Sequence, residues 1–518
     1  MKLNYKRTIL VGFAFFLISV FWQAYDSTIP VILTNKFGMS QTWSGVIMAL
    51  DNILAVFLLP LFGTMSDKCG TKYGKRTPFI IFGTVVAAVA LVGLSFVDNA
   101  QLNNISAVSA IDDSAALEAV YDAQADNELL SPEGETFVLS DLFTREEFAA
   151  IRTKVTDPDT AKEVTNADYT QYVAPARHAY AWETTMKNAV PLILFVALLL
   201  VVLLAMSTFR SPAVALMPDV TVKPLRSKAN AVINLMGTAG GILVLILGMV
   251  FSTSAVKNSL MRYNVFYGVV AGVMLGALAI FLLTVREKAC AEQMRADSIK
   301  YGIEEEEKED TAAKRSLSGS EKRSLILILL YIALLYFGYN AVTSKYAVYA
   351  GNILHKDYNT TLLVAQAAAI VAYMPAGMLA SKIGRKKTIL SGVVMLAAAF
   401  GAAAFMRADS PTWLMNVMFA LAGVAWATIN VNSFPMVVEM CSGADVGKYT
   451  GFYYTASMSA QIVTPMLSGL LMDQMGMTVL FPYAAIFVAL AFVTMSLVRH
   501  GDAKVMAKKG LEALDIDD

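Results

Sequence analysis

Gly63-Thr64-Met65-Ser66-Asp67-Lys68, followed by Gly74-Lys75-Arg76, closes one apolar run and opens the next. Gly377-Met378-Leu379-Ala380-Ser381-Lys382, followed by Gly384-Arg385-Lys386-Lys387, does the same in the second part of the chain. Similar basic loops at the same place in two sets of apolar runs mark an internal duplication of the kind that builds membrane-embedded bundles. The runs on either side are about 20 residues long, enough to cross a hydrocarbon core of about 30 Å.

Working outward from these loops, twelve such spans emerge: Thr8–Leu33, Trp43–Met65, Pro78–Val97, Ala189–Met217, Ser227–Phe251, Val265–Val285, Ser324–Val348, Thr361–Ser381, Thr388–Met406, Trp413–Met436, Tyr449–Met472 and Leu480–Val498. Of 518 residues 56% are hydrophobic and 16% charged, too few charges to wet the surface of a soluble protein of this length. Lipid cannot satisfy a free backbone, and the runs do not alternate as barrel strands would. The expected fold is an all-α membrane protein, twelve transmembrane helices in two six-helix halves.

Short-loop charges orient it. Lys2, Lys6 and Arg7 precede span 1, Lys68, Lys72, Lys75 and Arg76 follow span 2, Lys223, Arg226 and Lys228 follow span 4, and Lys382, Arg385, Lys386 and Lys387 follow span 8. The opposite short loops carry only strays such as Lys36, Lys257, Arg262 and Arg407. The positive-inside rule predicts a multi-pass cell-membrane protein with both termini cytoplasmic. The first apolar run, after Lys6-Arg7, is too long for a cleavable leader and has no small-residue cleavage site. The chain then divides into helices 1–3 (1–97), an acidic extracytoplasmic insertion (98–188), helices 4–6 (189–285), a charged cytoplasmic linker (286–323), the second six-helix half (324–498) and a cytoplasmic tail (499–518). Within the insertion Leu139–Val155 is predicted helical, capped by Ser140 or Asp141, with Arg145, Glu146 and Arg152 facing water. The linker, with its run Glu304 to Asp310, is expected to be a solvated connector.

Zero net charge gives no basic field for nucleic acid. Three scattered cysteines (Cys69, Cys290, Cys441) and three scattered histidines (His178, His355, His500) form neither a disulfide framework nor a metal cluster. No nucleophile–base constellation marks an enzyme. No catalytic residue, metal or cofactor is expected.

The repeated loop resembles the loop 2–3 motif of the major facilitator superfamily, GxxxD(R/K)xGR(R/K). The resemblance implies that fold, with helices 1, 4, 7 and 10 lining a central cavity. It also implies that Asp67, Lys75 and Arg76 latch neighbouring helix ends, with Asp219 and Arg385 as further gating candidates. The first copy has four extra residues between acid and glycine, and the second has Ser381 where an acid could stand. Ser66-Asp67 with Gly74-Lys75-Arg76-Thr77-Pro78-Phe79-Ile80 is similar to the SD…GRRRPFI signature of sucrose–proton symporters of plants and their animal and bacterial relatives. So is Leu216-Met217-Pro218-Asp219 with Arg226-Ser227-Lys228-Ala229-Asn230-Ala231 and Asn234. The plant proteins carry an arginine just before the helix 4 acid, where this chain has Val214 and Ala215 and its own arginine further back, at Arg210.

Ionisable residues inside a span are costly and mark function. Asp51 lies about nine residues into span 2, roughly 14 Å deep at 1.5 Å per residue. Arg210, nine residues before Asp219, lies at a similar depth, and Asp26 falls in the outer half of span 1. Asp51, Asp26 and Arg210 are the candidates for proton coupling. Burial favours a neutral carboxyl and a nearby arginine a charged one, so a change in that balance moves a proton. Ser19, Trp22, Gln23 and Asp26 share a face of helix 1; Tyr336, Asn340 and Thr343 one of helix 7; Trp426, Asn430 and Ser433 one of helix 10. Rings beside amides and carboxylates suit a sugar, whose CH face stacks while its hydroxyls bond. Tyr453, Tyr454 and Gln461 are weaker candidates.

The expected function is proton- or other monovalent cation-coupled uptake (symport) of a sugar, a disaccharide or other glycoside, by a monomer in the lipid bilayer. The alternatives are a proton-coupled drug or metabolite exporter, for which 27 Phe and 27 Met leave room, and a non-transporting sensor using the insertion.

Overall fold

The computed structural model describes residues 3–156, 162–222, 225–300, 318–438, 440 and 446–500. The run at 304–310, Lys223, Cys441 and nearly all of the tail lie outside them, as do the side chains of Lys228 and Ser381. Twelve long helices follow the chain: α1 (Tyr5–Asn35, with a break at Gly12), α2 (Gln41–Asp67), α3 (Thr77–Asn104), α4 (Val190–Val220), α5 (Arg226–Val250), α6 (Asn264–Thr284), α7 (Gly319–Tyr349), α8 (Tyr358–Ile383), α9 (Arg385–Ala403), α10 (Thr412–Val438), α11 (Val446–Met475) and α12 (Leu480–Ser496). Among the described residues eleven are long and apolar enough to cross a membrane; the other is α11, which carries Ser457, Gln461, Thr464 and Ser468. This is a multi-pass membrane protein. Helix hydroxyls are satisfied locally: Thr28 donates to Ala24 O (2.6 Å), Thr464 to Ala460 O (2.6 Å) and Ser468 to Thr464 O (2.8 Å).

Each half has its own core. Leu17, Phe21, Leu91, Phe209 and Tyr267 fill the first, and Ile328, Tyr331, Leu396, Phe481 and Val488 the second. Two separately packed bodies are what a rocking transition requires, since close-packed interiors move as units.

Both ends of the described chain lie at one end of the bundle, here the terminal end: Arg7 Nη1 donates to Gln293 Oε1 (3.0 Å), and Ser324 Oγ lies 2.9 Å from His500 Nδ1. The insertion covers the other end. Its core joins Leu117, Val120, Leu139, Phe148 and Tyr169. Two short antiparallel ribbons, Glu128–Leu130 with Thr136–Val138 and Lys154–Thr156 with Glu163–Thr165, stand beside helices Ser114–Gln124 and Ala174–Lys187.

Leu139–Val155 is not one helix. Leu139–Leu142 stops at Phe143, whose backbone is extended, and Arg145–Ala150 restarts on a Thr144–Glu147 capping box before the chain enters a strand. Thr144, rather than Ser140 or Asp141, supplies the side-chain cap, because a hydroxyl with Glu three residues on satisfies two orphan amides reciprocally. Arg152 is half-buried and donates to Ala149 O (2.7 Å) and Ser114 Oγ (2.7 Å) instead of facing water.

The linker also departs from a solvated connector at its start. Helix Glu287–Lys300 docks under the bundle, and buried Glu287 accepts from the amides of Lys75 (2.6 Å), Arg76 (2.9 Å) and Thr77 (2.8 Å). A carboxylate on the free amides at the start of α3 gains from the helix dipole as well as from the bonds.

Candidate functional site: a cavity between the halves

Bonds between the halves gather at the insertion end. Asp473 on α11 accepts from the amides of Gln41 and Thr42 (both 2.7 Å), and Lys345 Nζ on α7 donates to Gln41 O (2.5 Å). Ser254 donates to Asp357 (2.6 Å), and Thr253 and Tyr358 hydroxyls meet at 2.8 Å. That end is sealed. Beneath the seal, from Phe15 to Ser27 along α1, lies a central cavity of about 560 Å³.

Its first-half wall holds Ser19, Trp22, Gln23, Asp26 and Arg210, and its second-half wall Tyr339, Gln366, Tyr373 and Trp426. The whole expected face of helix 1 is therefore at the cavity. Trp426 stacks on Tyr339 with centroids 3.6 Å apart and planes within 5°, while Tyr336 stands edge-on to it at 5.7 Å. Tyr336 thus backs Trp426 and is not itself among the lining residues, and neither is half-buried Asn430. Gln366 Nε2 donates to Gln23 Oε1 (2.7 Å) across the halves, and Gln23 Nε2 donates to Ser27 Oγ (3.0 Å).

A smaller chamber of about 190 Å³ adjoins it, sharing Trp22, Asp26, Arg210 and Thr343. Asp51, Asn52, Asn340, Ser344 and Gln461 line the rest of it, with Met48 and Pro465. Residues far apart in sequence, Asp26, Asp51 and Arg210, thus border one space, two acids to one base. The Arg210 guanidinium lies 5.6 Å from the Trp22 ring centroid, and Asn52 donates to Asp51 Oδ1 (2.8 Å). Asn340 Nδ2 donates to Gln461 O (3.3 Å). Buried Trp22 Nε1 has no hydrogen-bond partner among the described residues, a donor left for a ligand or water.

At the terminal end, buried Arg76 bridges Asp67 (2.5 Å) and Asp219 (2.7 Å) and reaches Ser66 Oγ. Lys75 contributes its amide to Glu287 while its side chain is exposed, so Arg76 alone carries the ion-pair part expected of both. At the matching place in the second half Arg385 opens α9, and the neighbouring Lys386 donates to Ser496 O (2.8 Å) and Val498 O (2.6 Å).

Sequence reasoning missed Asn52, Tyr339, Gln366 and Tyr373. Tyr339 was within reach, since it follows Tyr336 by three residues, on one helical face. Gln366 and Tyr373 lie on α8, a helix outside the four the resemblance points to.

Residues 352–513 match the Major Facilitator Superfamily model and residues 10–107 the model for MFS/sugar transport protein, one in each half. Over 57 residues the chain is 35% identical to sucrose transport protein SUC4 of Arabidopsis thaliana, covering 11% of each. Over 72 residues it is 36% identical to human proton-associated sugar transporter A, covering 14% of this chain and 9% of that one. These stretches span about a tenth of those relatives' length. Among solved structures, the inward-open xylose transporter XylE from E. coli superposes with a TM-score of 0.59 at 14% identity, covering 99% of both chains. A bacterial homologue of the iron transporter ferroportin gives 0.57 at 12%, covering 96% of this chain and 99% of that one. By fold and by family matches in both halves, the chain is a major facilitator superfamily protein, and it resembles the sugar–proton symporters. It is not an enzyme.

Proposed function

We propose that the protein takes up a saccharide, a disaccharide or other glycoside, together with a proton, by alternating access across the cell membrane. The observation that carries this reading is the shared wall between the two chambers. Trp22, Asp26 and Arg210 face the large cavity on one side and the Asp51 chamber on the other.

The large chamber has the chemistry of a sugar site. Trp426 and Trp22 offer ring faces, and Gln23, Gln366 and Ser19 offer hydrogen bonds to hydroxyls. In the small chamber one arginine faces two carboxylates, so one negative charge is uncompensated when both ionise. A proton taken up there removes the surplus, and water entering from the other side on reorientation lets it leave. A carboxyl group can itself take up the one proton that removes this surplus, which supports a proton as the coupling ion. The sealed insertion end is the extracytoplasmic one, by the basic loops at the terminal end. The working unit is a monomer, since one chain supplies both cavity walls.

The test is sugar flux in proteoliposomes with and without an imposed pH gradient. Asp51→Asn is expected to abolish uphill accumulation while retaining downhill exchange, Asp26→Asn to weaken sugar affinity, and Arg210→Gln to impair both. Uphill accumulation by Asp51→Asn removes Asp51 from the coupling role; absence of any saccharide flux in the wild type removes the sugar reading.

A further inference from the structure

Between the insertion and the sealed end of the bundle lies a second cavity of about 490 Å³, close in size to the central one and within the range of small-ligand sites. Three bodies enclose it. Gln41 and Trp43 come from the start of α2, Glu128, His178 and Trp182 from the insertion, and Asn352 from the π-helical turn that follows α7.

Gln41 is 6% exposed, and its backbone is fully engaged: its amide donates to Asp473 and its carbonyl accepts from Lys345. Its side-chain Oε1 has no hydrogen-bond partner among the described residues. A buried acceptor left unmet is costly, so a donor is missing from this place. Among the described residues Asn352 Nδ2 meets only the thioether of Met477, at 3.7 Å, a weak acceptor that a better one can displace. The two indoles offer apolar faces beside these groups, Trp43 exposed and Trp182 half-buried. Glu128 and Asp473 line the cavity, and no lysine or arginine is among its lining residues, so an anion is disfavoured. Burial holds the His178 imidazole down to about 4, so it stands there neutral.

Ring faces, an orphan carbonyl, an amide with a weak partner and the Glu128 carboxylate make up the chemistry that binds a neutral polyhydroxylated molecule. We propose that this cavity is a second saccharide site, distinct from the central one and complete only while the insertion end is sealed. It rests on the reading of the protein as a sugar transporter. Because all three bodies contribute, a bound saccharide favours the sealed state by its differential affinity for it. The insertion thereby gains a role: it makes the outer surface of the transporter responsive to the sugar outside.

The experiment is calorimetric titration of the full-length protein in detergent with sucrose, maltose, raffinose and glucose. It compares the wild type, Trp426→Ala at the central site, and Gln41→Met and Trp43→Ala, singly and together, at the second. Trp43 is exposed, so its truncation leaves the fold intact, and a melting curve checks each variant. Two binding events are expected in the wild type. Trp426→Ala should keep one of them, and the Gln41→Met, Trp43→Ala pair should weaken that remaining class about tenfold or more. A single event in the wild type, lost in Trp426→Ala and untouched by the pair, overturns the second site and leaves the transport reading standing. No binding of any of these sugars to the wild type overturns both.

Discussion

The carboxylate of Asp473, near the end of α11 in the second half, accepts from both the amide (2.7 Å) and the hydroxyl (2.6 Å) of Thr42, in the first turn of α2 in the first half. With the Gln41 amide as third donor, one side chain caps a helix across the interface between the two halves. An anion at a helix start is favoured by the dipole and by the unpaired amides there.

Asp473→Ala should therefore open the insertion end. Hydrogen bonds to a charged group are worth about 1.5–3 kcal/mol each way, enough to move a two-state population about tenfold or more. Spin labels on exposed Lys257 and Asp409, one on each half at that end, should show a longer-distance population by electron–electron resonance. An unchanged distance distribution would mean that other contacts hold the seal.

Arg76→Gln should slow turnover more than it weakens sugar binding. Arg76 touches Asp67, Asp219 and Ser66 near helix ends and is remote from the cavity residues, so its removal biases a conformational equilibrium. Asp67→Asn should have a smaller effect, since Asp67 is more exposed than Asp219. Flux at saturating sugar and equilibrium binding separate the two effects; equal losses in both would place Arg76 in general stability.

Lys36→Met should destabilise the first half by about 3–5 kcal/mol, the usual cost of stranding a buried charge. Lys36 and Asp98 are both fully buried, 2.5 Å apart, and Lys36 also donates to Met261 O (2.6 Å). Lys36→Met with Asp98→Leu should recover much of the loss, as paired replacement of a buried ion pair often does. Melting temperatures in detergent decide it.

The insertion should lose stability in acid. His178 Nε2 lies 3.0 Å from Asn35 Oδ1, and burial lowers its pKa from 6.5 to about 4. The folded value lies below the unfolded one, so the unfolded chain binds the proton first. Stability is complete above about pH 6.5, falls as pH drops towards about 4, and is level below that. The loss from this group is under about 3 kcal/mol, since the ring borders a cavity. His178→Gln should flatten that part of the pH profile of hydrogen exchange in Ala174–Lys187.

The helical class, the two halves and the polar face of helix 1 were legible because each rests on a local signal: run length, loop charge, and a spacing of three and four. Asp51, Asp26 and Arg210 were legible singly, as charges where lipid tolerates few, but their meeting around one chamber depends on packing among α1, α2 and α4. Lys36 looked like a stray loop charge. Only the fold brings it to Asp98, 62 positions away. Asp473 and Glu287 were illegible for the same reason, since each caps a helix distant in sequence. The predicted helix through Leu139–Val155 failed because Thr144 and Glu147 were not weighed as a capping box, a signal that was present.

The insertion is riveted to the first half: Thr185 donates to Phe37 O (3.0 Å), Gln101 to Thr185 (2.9 Å), and Gly38, at φ +67°, lies against the backbone of His178 and Trp182 where any side chain would collide. Against the second half it makes lighter touches, among them Met477 N to Pro132 O (2.7 Å) and Thr170 to His355 (2.8 Å). The seam between them is thus an epitope that the proposed alternating access would tear. A nanobody raised to it would serve as a conformational lock, and the insertion as a rigid fiducial for orienting single-particle images of a protein otherwise hidden in its micelle.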